Sequence, residues 1–211
     1  MMFAIALAAQ IERCAPQVAP VTMAAIVRVE SGGNALAIHD NTAKRSYHPR
    51  DRATAEAIAQ LLLDAGHSVD LGIAQIDDVN LLPLGLNVRT VFDTCTNLGA
   101  GGRILARDYA FAVSRYGPGQ VALRHAIGMY NTGRLDAGAA YVRSVLLAAG
   151  IYEAYDPSSR VTTTIDPMDS PLLVRVAPTA RYSHRRPYAN VPPSGAPILI
   201  RFARSLQVAV F

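Results

Sequence analysis

The chain reads as a mainly α protein. A compact helical domain of residues 1–150, with at most one small β-hairpin, is followed by a proline-rich basic extension of residues 151–211, expected to be flexible. Three observations carry this. Apolar residues recur at helical spacing through nearly all of the first 150 residues, with capping and breaking residues between the runs. Eight of the 13 prolines fall in the last 61 residues. Those residues also hold 7 Lys+Arg against 4 Asp+Glu, whereas residues 1–150 hold 13 against 12.

The first residues, MMFAIALAAQ, contain an Ala6-Leu7-Ala8 that mimics a signal-peptide cleavage site, but a basic leading region is absent and the apolar run is short. They read instead as an amphipathic helix to about Arg13, so an export signal would lie upstream of this chain, be unusual or be missing. Pro20 suits the first position of a second helix, in which Met23, Ile26 and Val27 recur at helical spacing up to Glu30. The stretch RSYHPR (45–50) is the one plausible source of strand, as a short hairpin between the second and third helices. Asp51 is placed to cap the third helix, RATAEAIAQLLLDAG, and Gly66 to stop it. GIAQIDDVNLL (72–82) reads as a short helix broken by Pro83. Asp93 or Thr96 caps a longer one, NLGAGGRILARDYAFAVSRY, which ends before Gly117-Pro118. Two more, GQVALRHAIGMYN and AGAAYVRSVLLAAG, are separated by Thr132-Gly133-Arg134, and no segment repeats another.

Composition sets bounds on function. With 211 residues, 51% of them apolar, the chain buries a proper core as one globular domain. No stretch approaches the ~20 apolar residues that span a bilayer. The excess of positive charge in the last 61 residues is small and its arginines are scattered except for Arg185-Arg186, which is too weak a pattern for a nucleic-acid partner. Cys14 and Cys95 lie outside any zinc-ligand spacing. On their own they fit either two buried thiols or one disulfide of an exported protein.

Glu30 is the first candidate for chemistry. It ends an apolar helix, where the helix dipole disfavours negative charge and the neighbouring apolar face desolvates the carboxyl. Both raise its pKa, which is what a general acid for glycoside cleavage requires. Gly32-Gly33 leave the backbone open just beyond it. Taken alone, a Glu followed by Gly also describes an ordinary solvated helix end. Two further stretches change the weighting: DLGIAQI (70–76), which places Gln75 on the expected short helix, and GMYNTG (128–133), which ends a helix on Tyr130 and Asn131.

Together, ESGGN, GIAQI and MYNTG in this order on successive helices resemble the motifs ES, G-x-x-Q and A-Y-N of the lysozyme-like lytic transglycosylases. CAPQVAPVTMAAIVRVESGGN, AGHSVDLGIAQIDDVNLLPLGL and FDTCTNLGAGGRIL resemble, more closely, the periplasmic transglycosylases of type IV secretion systems, of the VirB kind. The resemblance covers roughly residues 10 to 149 and implies an α+β lysozyme-like fold. It implies Glu30 as the single catalytic acid/base and Ser31 as a neighbouring hydroxyl bonding near the scissile sugar. Gln75 would help to hold the N-acetyl group, Tyr130 and Asn131 would close the cleft, and Tyr141 matches the tyrosine of an element ending in Tyr-Val. Because both cysteines lie in the similar stretches, it also implies a Cys14–Cys95 disulfide and a periplasmic location. Ala35, Asp77 and Met129 depart from the family's usual proline, asparagine and alanine, none of which carries the chemistry.

The reaction implied is cleavage of the β-1,4 bond between N-acetylmuramic acid and N-acetylglucosamine of peptidoglycan, leaving a 1,6-anhydromuramyl end. It needs no metal and no organic cofactor. Glycan strands and secretion-system proteins are the partners implied, and the setting is a local opening of the cell wall. A hydrolase of the lysozyme type, or a phage-borne wall-degrading enzyme, is the alternative; it would need Asp40, Asp70 or Asp77 to face Glu30 across about 6.5–9.5 Å. A third reading is an inactive peptidoglycan-binding assembly factor.

Overall fold

The computed structural model describes residues 2–151, with side chains from residue 6 onward. The proline-rich extension therefore lies outside the described residues, apart from its first residue. Among the described residues there are six α-helices and a small sheet: α1 Met2–Cys14, α2 Pro20–Glu30, β1 Ile38–Asp40, β2 Arg45–Tyr47, α3 Arg52–Asp64, β3 Val69–Leu71, β4 Ile76–Asp77, α4 Thr94–Tyr116, α5 Gln120–Thr132 and α6 Ala139–Ala148. Two 3₁₀ turns, Asp78–Asn80 and Leu82–Leu84, lead from β4 towards α4.

The helix ends follow the local chemistry. Pro20 opens α2, Asp51 accepts the Thr54 N–H at 2.8 Å to cap α3, and Asp93 accepts the Thr96 N–H at 2.8 Å to cap α4. Each such cap satisfies one of the donors a helix start leaves open and contributes about 1 kcal/mol. The 23-residue α4 is the spine, with α5 packed along it and α1 across it, while α2 packs against α1 and α6. Ile11, Met23, Ile26, Leu98, Leu105 and Ile127 meet in the resulting core, all essentially without solvent exposure.

The mainly α class stands, but the strand content exceeds one hairpin. A hairpin does lie between the second and third helices, but at residues 38–47, so that only its second strand comes from the expected stretch 45–50. β3 and β4 extend it to a four-stranded antiparallel sheet in the order β2-β1-β3-β4. Its register separates two rows. Ile38, Leu71 and Ile76 are buried beneath it, while Ser46, His39, Asp70 and Asp77 form a polar row across the other side.

The short helix expected over 72–82 is therefore a correction. Residues 72–75 are the turn of the β3–β4 hairpin, with Gly72 at φ 82° and Gln75 at φ 48°. Its Ala and Gln favour helix locally, but the strands on either side pair in register and tertiary hydrogen bonds hold the turn.

Candidate active site

α2 runs out at Glu30 because Ser31 leaves the helical conformation, at φ −131°, and Gly32 and Gly33 follow with φ of 63° and 90°. A side chain at Gly32 would meet nothing within 4 Å, so the backbone beside Glu30 lies open to an approaching ligand. The Glu30 carboxyl is half-buried at the end of the face that carries the fully buried Ile26 and Val27. Burial pushes its pKa up to about 7, against the pull of a hydrogen bond from Tyr141 and with a further push from the charge on Asp70. Near neutral pH the carboxyl is thus poised between acid and base.

Tyr141, on the first turn of α6, donates its hydroxyl hydrogen to Glu30 Oε1. That contact crosses 111 residues of sequence and follows from the packing of α2 against α6. With Oε1 occupied in this way, Oε2 is the oxygen left to carry the proton. Burial, then the nearby Glu30 charge, raises the pKa of Tyr141, so its phenol stays neutral. Tyr130, near the end of α5, is also held neutral by burial, and its hydroxyl donates to the Ala74 carbonyl at 2.7 Å. Asn131 follows it as an exposed residue on the same final turn.

The remaining motif residues converge on the β3–β4 turn. The hydroxyl of Ser31 donates to the Ile73 carbonyl at 2.7 Å and accepts the Gly33 N–H at 3.1 Å. The side-chain amide of Gln75 donates to the carbonyls of Gly72, at 2.7 Å, and Ala37, at 3.1 Å. Three side chains expected to face a sugar thus use their donors on the backbone of one turn or beside it. Gln75 Oε1 accepts no hydrogen bond from the described residues, which leaves it for a donor such as an amide N–H.

The three candidate second carboxylates differ in their surroundings. Asp40 is fully buried. Burial favours its protonated form, but hydrogen bonds from the Ala43 N–H, His67 Nδ1 and the Thr42 N–H outweigh that and hold its pKa below the usual range. It organises the β1–β2 turn. Asp77 starts a 3₁₀ turn by accepting the Val79 N–H at 3.0 Å, and burial raises its pKa. Asp70 pairs across the sheet with Asp77, and burial pushes its pKa up to about 6 despite a hydrogen bond from Asn41 at 2.9 Å. Of the three, Asp70 is the one whose charge registers at Glu30. The two titrate as neighbours, and the Asn41 bond favours placing the first negative charge on Asp70.

Comparison with known proteins is in keeping with this geometry. Residues 8–144 match the family described as the Transglycosylase SLT domain. The chain belongs to that family. Among relatives, the protein virB1 of Rhizobium radiobacter is 42% identical over 139 residues, covering 65% of this chain and 58% of its own length. The protein virB1 of Agrobacterium fabrum is 41% identical over 138 residues, 64% of this chain and 56% of its own. The type IV secretion system protein virB1 of Brucella abortus is 38% identical over 148 residues, 66% of this chain and 62% of its own. The chain thus spans less than two thirds of the length of these relatives. No solved structure matches it. The family match takes in Glu30, Gln75, Tyr130 and Tyr141, and it extends across both cysteines, whose sulfurs are bonded with a Cα–Cα distance of 5.1 Å.

Sequence reasoning passed over three residues of α4. Asn97 is fully buried and bonds the β3–β4 turn, Gly101 lies against it, and Asp108 is a buried acid whose pKa is pushed up to about 6 by burial against the pull of its neighbour Arg107. Asn97, Gly101 and Asp108 fall at i, i+4 and i+11 on the stripe that also holds Leu105 and Ala112. A polar residue on the buried stripe of a helix is the signal that marks them.

Proposed function

We propose that this protein is a peptidoglycan lytic transglycosylase that uses Glu30 as its sole acid/base. The observation that carries the reading is a half-buried carboxyl at the end of α2 with a pKa near 7, one oxygen held by Tyr141, in a chain of the transglycosylase SLT family. Glu30 gives its proton to the bridging oxygen as the bond to C1 of N-acetylmuramic acid breaks. The substrate's acetamido oxygen stabilises the electron-poor C1, as in substrate-assisted glycosidases. Glu30, now a carboxylate stabilised by the Tyr141 hydroxyl, takes the proton of the C6 hydroxyl while that oxygen bonds to C1. The 1,6-anhydro ring closes, Glu30 is protonated again and no water is consumed.

The proposal includes its setting. Relatives are named as proteins of type IV secretion, and a machine that crosses the envelope needs a local gap in the wall. A disulfide favours an oxidising compartment, the periplasm, where the glycan strands lie. Ser31, Gln75, Tyr130, Asn131 and Tyr141 serve the substrate side of the site, Ser31 and Tyr130 by shaping its wall. Residues 1–150 form the catalytic domain and residues 151–211 an extension to it.

The test is the product. Intact sacculi treated with the protein should release 1,6-anhydromuropeptides by mass spectrometry, and Glu30→Gln should lose activity by about 10²–10⁴-fold or more while folding normally. Reducing-end muropeptides would make it a hydrolase instead. Full clearing of sacculi by the Gln variant would remove Glu30 from the chemistry.

A further inference from the structure

The ladder between β3 and β4 ends at the pair Leu71–Ile76. Of the four residues between them, Gly72 is held by its N–H on the Ala37 carbonyl at 2.8 Å and Gln75 by its bonds to Gly72 and Ala37, which leaves Ile73 and Ala74 outside the strand pairing. To the carbonyls of Ile73 and Ala74, Ser31, next to Glu30, and Tyr130 are bonded. What fixes this turn from behind is Asn97. Its Oδ1 accepts the Ala74 N–H at 2.8 Å, and its amide donates to the carbonyls of Leu71 at 2.9 Å and Val91 at 2.8 Å. Both amide hydrogens and the carbonyl oxygen are engaged, and the residue has no solvent exposure. A Cβ on Gly72 would lie 2.3 Å from Asn97 Nδ2, so the turn and the amide are fitted to one another. The base of the clamp is itself tied down, since Asp93 caps the first turn of α4 and Cys95 bonds to Cys14.

We propose that Asn97 is a positioning residue for glycan cleavage, an inference that rests on the function proposed above. By gripping the turn on both sides of Gly72-Ile73, it sets where the Ile73 and Ala74 carbonyls stand. Through Ser31 and Tyr130, these hold the end of α2 and the end of α5 around Glu30. Loss of the clamp would let the turn drift without removing any group that touches the substrate. Small displacements of that kind act on the reaction step more than on substrate affinity.

The experiment uses the full chain with Asn97→Ala and Asn97→Asp, soluble uncross-linked glycan strands as substrate, and thermal melting to fix a temperature at which each variant is folded. Asn97→Ala should lower kcat about tenfold or more with KM within about twofold. Asn97→Asp keeps the acceptor for Ala74 but turns a second oxygen towards the Leu71 and Val91 carbonyls. Its activity relative to wild type should therefore rise as pH falls and its carboxyl gains a donor. A folded Ala variant with wild-type kcat overturns the proposal, as does an Asp variant whose relative activity is flat with pH. Should the Ala variant not fold, the Asp variant decides alone. If wild type releases no muropeptides, the proposed function fails and Asn97 is judged from the ¹³C titration of the Glu30 carboxyl. A midpoint that drops in the variants as water enters supports positioning, and an unchanged midpoint overturns it.

Discussion

Glu30 keeps its proton near pH 7 because desolvation outweighs the one donor that reaches it among the described residues, the Tyr141 hydroxyl. The sign of that balance makes a prediction. Tyr141 favours the carboxylate, so Tyr141→Phe should raise the Glu30 pKa above about 7 and move the alkaline limb of the activity profile upwards, on the order of one pH unit. On the proposed mechanism kcat should fall at the same time, because the conjugate base would lose its partner before taking the C6 proton. A pH–rate profile from pH 5 to 9 reads both effects, and a limb that moved down or stayed in place would leave Tyr141 without an electrostatic role. At this scale Glu30 is legible only beside the two other motifs, since a carboxyl at a helix end before two glycines also describes a solvated turn. Tyr141 was the least secure residue of the set, because the packing of α2 on α6 brings it to Glu30 across 111 residues and no local pattern encodes that distance.

Among the elements, helices were readable from their punctuation and the sheet was not. Pro20, Asp51 and Asp93 each announce a helix start by local chemistry, and the structure uses all three. β3 and β4 are three and two residues long, too short for alternation to appear, and the turn between them is set by Asn97, Tyr130 and Ser31 from elsewhere in the chain. The same long-range fitting explains Gly101 in the middle of α4. A methyl group there would come within 2.8–2.9 Å of Met23, Ala74 and the Tyr130 hydroxyl, so four elements meet at a backbone surface. Gly101→Ala gains about 1 kcal/mol of helix propensity but overpacks a junction where such changes cost about 1–3 kcal/mol. The expected outcome is a melting temperature lower by a few degrees and a larger proportional loss of lytic rate at 25 °C, because the strain falls on the Tyr130–Ala74 bond. Unchanged melting and activity would mean that the junction has room to spare.

For the whole molecule, the Cys14–Cys95 bond joins the end of α1 to the first turn of α4 across a separation of 81 residues. Closing a loop of that size removes chain entropy from the unfolded state worth up to about 4 kcal/mol. Reduction should lower the melting temperature by several degrees while leaving activity measurable at moderate temperature, since neither sulfur touches Glu30. Loss of all activity on reduction, with the fold intact by circular dichroism, would place the disulfide in the site itself. The proposed division of the chain is tested by truncation. Ile151 packs on the core and its N–H bonds to the Leu146 carbonyl at 2.9 Å, so the cut belongs after it. A chain ending at Ile151 should melt within a few degrees of the full protein and still cleave isolated peptidoglycan. Failure to fold would make the extension part of the domain.

The crowding of side chains onto the β3–β4 turn bears on how such proteins are recognised in genomes. Ser31, Gln75 and Tyr130 are tied to backbone carbonyls in and around that turn, so a descendant that exchanged Glu30 and gave up cleavage would still need them to fold. A search built on these letters therefore detects a scaffold. Whether a given copy is a working enzyme or a retired one kept for its grip on the wall is written in the single position at the end of α2 and in the tyrosine that faces it.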